Sequence, residues 1–122
     1  MVDRVVAEAI RAANFFGLTA DRAERYGESV RQTFPLALEA MRETQPLVRE
    51  RKLHDLATSV RAVSEAHHIP RIIERGLVGI AFGAARGPVL DRAMRSGFAH
   101  EDLEHELRAF REALEAKLAS LG

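Results

Sequence analysis

The side chains with the clearest capacity for chemistry in this 122-residue chain are its histidines and the carboxylates spaced from them. Glu65 and His68 form a Glu-x-x-His pair, and Asp102 and His105 form its Asp-x-x-His analogue. On a helix that spacing puts carboxylate and imidazole on one face. Two such pairs, joined by carboxylates from two further helices, can hold two metal ions. The placement argues against it here. Glu65 and His68 stand at a helix end beside Pro70, Asp102 lies in a first turn, and His105 sits between Glu104 and Glu106 on a polar face. A haem pocket needs one histidine against an apolar slot, for which His54 or His67 would serve. A ligand, haem or metal site at Glu65, His67, His68 and Phe82 is therefore an alternative reading, and no cofactor or metal is assigned. His67 ends an apolar seam, where its charge would change near neutrality and make it a candidate pH sensor. The five serines, at 29, 59, 64, 96 and 120, stand in no nucleophile-elbow motif, and the chain has no cysteine. No strand precedes a glycine-rich loop that could cradle phosphate. The expectation is a protein that is not an enzyme.

The most apolar stretch carries a different signal, one of close approach. Gly76, Gly79, Gly83 and Gly87 recur in it at helical spacing. The last three are four apart and form one bare ridge, with Gly76 at its edge. An interior glycine costs roughly 0.5–1 kcal/mol against alanine, so a helix that keeps several gains something in return. That gain is close packing within the chain, a self-association face or a slot for a flat ligand beside Ile80 and Phe82. The ridge with Ile80 and Ala84 is the candidate interface of a homodimer.

The elements that must position these residues read as helices throughout, with no alternating strand pattern and no internal repeat. Periodicity predicts a first helix over residues 2–16 with Val2, Val5, Val6, Ala9, Ile10, Ala13 and Phe16 inward, ended by Gly17. Thr19 caps a second over 20–33. Pro35 is expected to break it and begin a short third through 41. A long helix follows from the Thr44/Pro46 start to 66, its seam Leu53, Leu56, Val60, Val63 and His67 stepping three, four, three, four. The glycine-rich helix spans 70–87, with Gly87-Pro88 kinking or stopping it and 88–95 a short continuation. The last, 100–121, carries Leu103, Leu107, Phe110, Leu114, Leu118 and Leu121 in one stripe. Residues 71–95 hold five arginines against Glu74 and Asp91, a net of +3. Residues 100–121 hold six acids against Arg108, Arg111 and Lys117, a net of −3. Those two helices are expected to lie antiparallel with opposite charges along their rims, which biases register more than it stabilises.

Residues 12–28 carry Ala13 four before Gly17, flanking Phe16 and Leu18, then Ala23 and Tyr26 at inward positions. This segment resembles the helix-turn-helix motif of DNA-binding regulators. The resemblance implies a second helix that reads base edges, with Arg22 and Arg25 as the guanine readers. Asp21, Glu24 and Glu28 leave that helix at a net of −1, where phosphate contacts need positive charge. A DNA-binding regulator is accordingly an alternative, and nucleic acid is not the favoured partner.

Composition frames the rest. At 47% hydrophobic and 30% charged residues, with 18 basic side chains against 18 acidic, the chain is globular and electrically balanced. The charged N-terminus does not read as a signal peptide, and the longest apolar run, 77–85, is too short to span a bilayer, so the reading is no membrane and a cytoplasmic location. The fold expected is all-α, a compact single-domain bundle of five to six helices. Short helices over 1–43 are expected to join a long-helix core over 44–122 that includes the glycine-rich helix 70–87. The function expected is a non-enzymatic regulatory, sensory or signalling module that acts by protein–protein interaction, as a homodimer or with a protein partner.

Overall fold

The structure, a computed structural model, describes residues 1–122 as five α-helices: α1 (Val2–Phe15), α2 (Ala20–Arg42), α3 (Pro46–Ala66), α4 (Arg71–Arg95) and α5 (His100–Ser120). Three of the four joints are built alike. In each, a residue in the left-handed region follows the helix, and two backbone N–H groups turn back onto carbonyls of its last turn. Leu18 bonds to Ala13 and Gly17 to Asn14, Ile69 to Ser64 and His68 to Glu65, Phe98 to Ala93 and Gly97 to Met94. Gly17 (φ 106°) and Gly97 (φ 92°) fill that position without cost, whereas His68 holds φ 55° with a full side chain. The Thr19 hydroxyl caps α2 by accepting from the Arg22 N–H at 3.4 Å.

Neither proline ends its helix. Pro35 lies within α2 and Pro88 within α4, so the expected short third helix and the separate 88–95 segment merge with the helices before them. The first 43 residues thus contain a 23-residue helix, where the sequence suggested only short ones. Pro35 and Arg31, whose carbonyl the missing N–H would have served, are both exposed, so that carbonyl is left on the solvent side.

Each helix packs chiefly on two others, and the neighbours close a ring in the order α1, α2, α3, α5, α4 and back to α1. Successive helices α1/α2 and α2/α3 are antiparallel, as Asp3–Arg31 and the Lys52 ion pairs with Glu39 and Glu43 require. The α4/α5 pair is antiparallel as the charge asymmetry suggested. Arg75 pairs with Glu115, Arg111 covers Gly79, and Arg86 pairs with Glu104, so the register is constant along the interface. Helix α5 runs parallel to α3, with Arg49 reaching Glu106 at 4.0 Å and Arg61 reaching the Leu118 carbonyl at 2.8 Å.

All five helices supply the main core, through Val5, Phe34, Leu56, Phe82 and Leu114 among others. A second cluster joins Ala9, Ala13, Ala23, Tyr26, Ile69 and Leu77, where α1, α2 and the start of α4 meet. The expected faces of α1 and α5 are largely the buried ones, although Phe16 and Leu121 stay exposed at the helix ends. Helix α3 differs. Leu53 and Leu56 are buried, but Val60 and Val63 are only half-buried, and Ala57, Arg61 and Ser64 face inward. No helix is long and apolar enough to cross a membrane.

Candidate functional site

The glycine ridge divides into a covered half and an open half. Gly76 lies under the Phe16 ring, where an added Cβ would meet Cζ at 3.5 Å. Gly79 lies under the Arg111 guanidinium, whose Nη2 would be 2.8 Å from such a Cβ. At these two positions the small residues serve packing within the chain. Gly83 and Gly87 are exposed, and nothing approaches either of them within 4 Å. Ile80 and Ala84 are half-buried beside them. Gly83 forms part of the floor of a cleft between α4 and α5, about 180 Å³ in volume, with Arg86, Arg108 and Arg111 in its walls. Arg86 is held by Glu104 and Arg111 by Glu115, which leaves Arg108 as the arginine of the cleft with no ion-pair partner.

The tightest glycine lies elsewhere. A Cβ on Gly27 would stand 2.5 Å from Ile10 Cγ1 and 2.7 Å from its Cδ1. Gly27 is where α1 presses directly on the α2 backbone, a role that a single glycine in a polar stretch does not announce.

That packing also changes the reading of residues 12–28. Helix α2 lies along α1 as an antiparallel hairpin, with Gly27 against Val6 and Ile10 and Arg31 against Asp3. In the helix-turn-helix geometry the pair crosses at a wide angle and frees the second helix. Arg22 is half-buried, and its guanidinium donates to the His67 carbonyl at 2.6 Å. Arg25 is exposed and paired with Asp21. Of the two proposed base readers, one is therefore committed to tying α2 to the end of α3.

The histidines and their carboxylates do not converge. Glu65 pairs with Arg71 at 3.6 Å, His68 is exposed in its turn, and His54 and His105 are exposed on α3 and α5. No three His, Asp or Glu side chains come together in a group that could hold a metal ion. His67 is half-buried, its Nε2 3.0 Å from the Ser29 hydroxyl and its ring edge-on to Tyr26 with centroids 5.9 Å apart. Burial, helped by the positive charges of Arg22 and Arg25, pushes its pKa below the ordinary histidine value. Phe82 is separate from this group and lies in the core between Phe34 and Phe110.

Phe82 instead forms part of the wall of a cavity at the centre of the ring. Five helices spaced about 9–10 Å apart in a closed ring set their axes about 8 Å from its middle. A helix with its side chains has a radius of about 5–6 Å, so long side chains must fill the centre. Short ones stand there at Ala37, Ser64 and Ala81, leaving a cavity of about 70 Å³ with twelve hydrophobic residues among its fifteen lining ones.

The polar lining of this cavity was not evident in the sequence. Glu74, at 4% exposure, opens toward it from α4 and is held by Arg61 of α3, whose Nε lies 3.0 Å from Oε2 and whose Nη2 lies 3.1 Å from Oε1. The same Nη2 donates to the Leu118 carbonyl, so one guanidinium ties α3, α4 and α5. Tyr26 and Ser64, at 8% and 3% exposure, also line the cavity. Neither hydroxyl bonds to a protein group, yet no sealed side-chain oxygen or nitrogen lacks a partner. Both hydroxyls are therefore accessible to water, on two residues that line the cavity. Burial, with the Glu74 charge adding to it, pushes the Tyr26 hydroxyl well above the usual tyrosine range and keeps it protonated. Arg61 and Glu74 sit 13 residues apart on either side of a turn, and each reads in sequence as one more surface charge.

With this geometry in hand, comparison with known proteins adds no relative. No protein-family model matches the chain, and neither a curated protein nor a solved structure is similar to it.

Proposed function

We propose that the protein is a non-enzymatic helical interaction module that self-associates through the open half of the α4 glycine ridge. The observation that carries this reading is the bare surface at Gly83 and Gly87, where a Cβ added to either would meet no other helix or side chain within 4 Å. Helix α4 gives up roughly 0.5–1 kcal/mol at each of these positions for no packing within the chain. A second backbone lying across them recovers that loss by close contact. Charge supports a copy of the same chain as the occupant. Arg86 and Arg108 flank Gly83, and Glu101 and Asp102 stand exposed at the start of α5 without ion-pair partners, so two copies offer complementary surfaces. Regulation or signalling through such contact is the role this reading gives the module.

The test is the mass in solution of the wild type, Gly83→Ala and Gly83→Leu. A self-associating protein has a mass above the 13.6 kDa of one chain, and the leucine variant returns to a single chain while keeping its helical spectrum. A wild type that stays at 13.6 kDa at high concentration overturns the reading. So does a Gly83→Leu oligomer as tight as the parent.

A further inference from the structure

We propose that the central cavity is a binding site for a small neutral molecule with a short alkyl body and a single hydroxyl head. Three features of the cavity lead there, and none depends on whether the protein self-associates. Its wall is apolar on most sides, supplied by Phe34, Leu56, Leu77, Phe82 and Leu114. Its polar groups are few, the half-buried Thr33 and the buried Tyr26, Ser64 and Glu74. Tyr26 and Ser64 are more than nine-tenths buried as residues, yet their hydroxyls are accessible to water and unbonded to protein, and the Glu74 carboxylate belongs to the same lining. A site with a small number of placed polar groups in an apolar pocket is the ordinary form of a small-molecule site.

The chemistry of the head group follows from the partners it would meet. Arg61 already balances the Glu74 charge, so a cationic or anionic ligand would bring an uncompensated charge into a buried space. A hydroxyl fits both neighbours, donating to the carboxylate or to Ser64 Oγ and accepting from the Tyr26 O–H. Water at the polar end would satisfy these groups, but the apolar remainder would stay dry. The size of the body is bounded too. About 70 Å³ is less than the roughly 150 Å³ void that accommodates a benzene ring, which points to a body of a few carbons.

The protein carries its own reporter. Tyr26 is the one tyrosine and there is no tryptophan, so intrinsic emission comes from the cavity wall itself. Titration with ethanol is expected to give a saturable change in that emission and a raised melting temperature. Acetate and ethylammonium are expected to need at least tenfold higher concentration. Ser64→Ala should weaken ethanol about threefold to tenfold, as loss of one hydrogen bond does. Ala81→Leu, which fills the space, should abolish the response while the helical spectrum is retained. Should that variant fail to fold, the methyl resonances of Leu77 and Leu114 in the wild type replace it, and both should shift to saturation with ethanol.

Four results would overturn the site. Emission that drifts linearly with ethanol would be a solvent effect, and a folded Ala81→Leu that still responds would place the ligand elsewhere. The others are methyl resonances that stay fixed and a charged analogue that binds as tightly as the alcohol. Each is read on Tyr26 or the cavity methyls and leaves the mass measurement untouched, so loss of this site and loss of the self-association reading are told apart.

Discussion

At the scale of single residues, the Arg61–Glu74 pair is the interaction with most at stake. Two buried charges on different helices repay their desolvation only because the guanidinium is bonded to both carboxylate oxygens and to the Leu118 carbonyl. Removing one partner strands the other in an apolar centre. Glu74→Leu alone is therefore expected to cost about 3–5 kcal/mol in chemical denaturation, and Arg61→Leu a similar amount. The double variant should recover most of that loss, since an apolar pair of similar volume is often neutral or better. Singles and double that lose stability additively would show that the two charges do not act as a pair.

Among the elements, the most constrained contact is α1 against α2. A Cβ on Gly27 collides with both Cγ1 and the terminal Cδ1 of Ile10, so the whole arm of that side chain must move and not its tip alone. Gly27→Ala is thus expected to destabilise by about 1–3 kcal/mol although alanine is the better helix former, and Ile10→Val beside it should return part of the loss. A thermal melt unchanged or raised by Gly27→Ala would mean the hairpin can shift to admit a methyl group.

The same elements show what was legible in the sequence. The apolar stripes of α1 and α5 mark where those helices lie and the glycine stop at 17 marks where α1 ends, because periodicity and backbone sterics are local. The inward face of α3 was only partly legible. The seam through Val60 and Val63 does reach the cavity, but Arg61 and Ser64 are buried beside it because a partner on α4 and the cavity receive them, and neither carries an apolar signal. The prolines misled for a related reason. Tertiary packing holds α2 and α4 together across a single missing hydrogen bond. Of the residues first considered for chemistry, Phe82 and Ser64 lie at the cavity, although Ser64 stands in no nucleophile motif. Tyr26 and Ser64 became candidates only when three helices brought them around one space.

For the molecule as a whole, His67 sets how stability responds to pH. Its folded-state pKa lies below the ordinary value of 6.5, so near and below that pH the unfolded chain binds more protons than the folded one. Stability is expected to be full above about pH 6.5 and to fall as pH drops through the histidine range, ahead of any loss from carboxylate protonation. Urea midpoints measured from pH 7.5 to pH 5 check this, and His67→Gln should flatten the slope. A slope that survives the substitution would assign it to other groups.

The closed ring has a consequence for how the chain assembles. Helices α1, α2 and α3 pack in chain order as two successive hairpins, so each can dock as soon as it has been made. Helix α4 then docks on α1, across the whole intervening hairpin, and the gap between α3 and α4 stays open until α5 fills it. The carbonyl that completes the Arg61 contacts belongs to Leu118, near the end of α5. During synthesis on the ribosome, the first four helices can therefore be fully extruded while the charged pair still faces an unsealed gap. Docking of α5 between α3 and α4 is thus the step expected to close the ring. A chain stalled before that step would present the unsealed groove to a chaperone, or to the α5 of a neighbouring molecule.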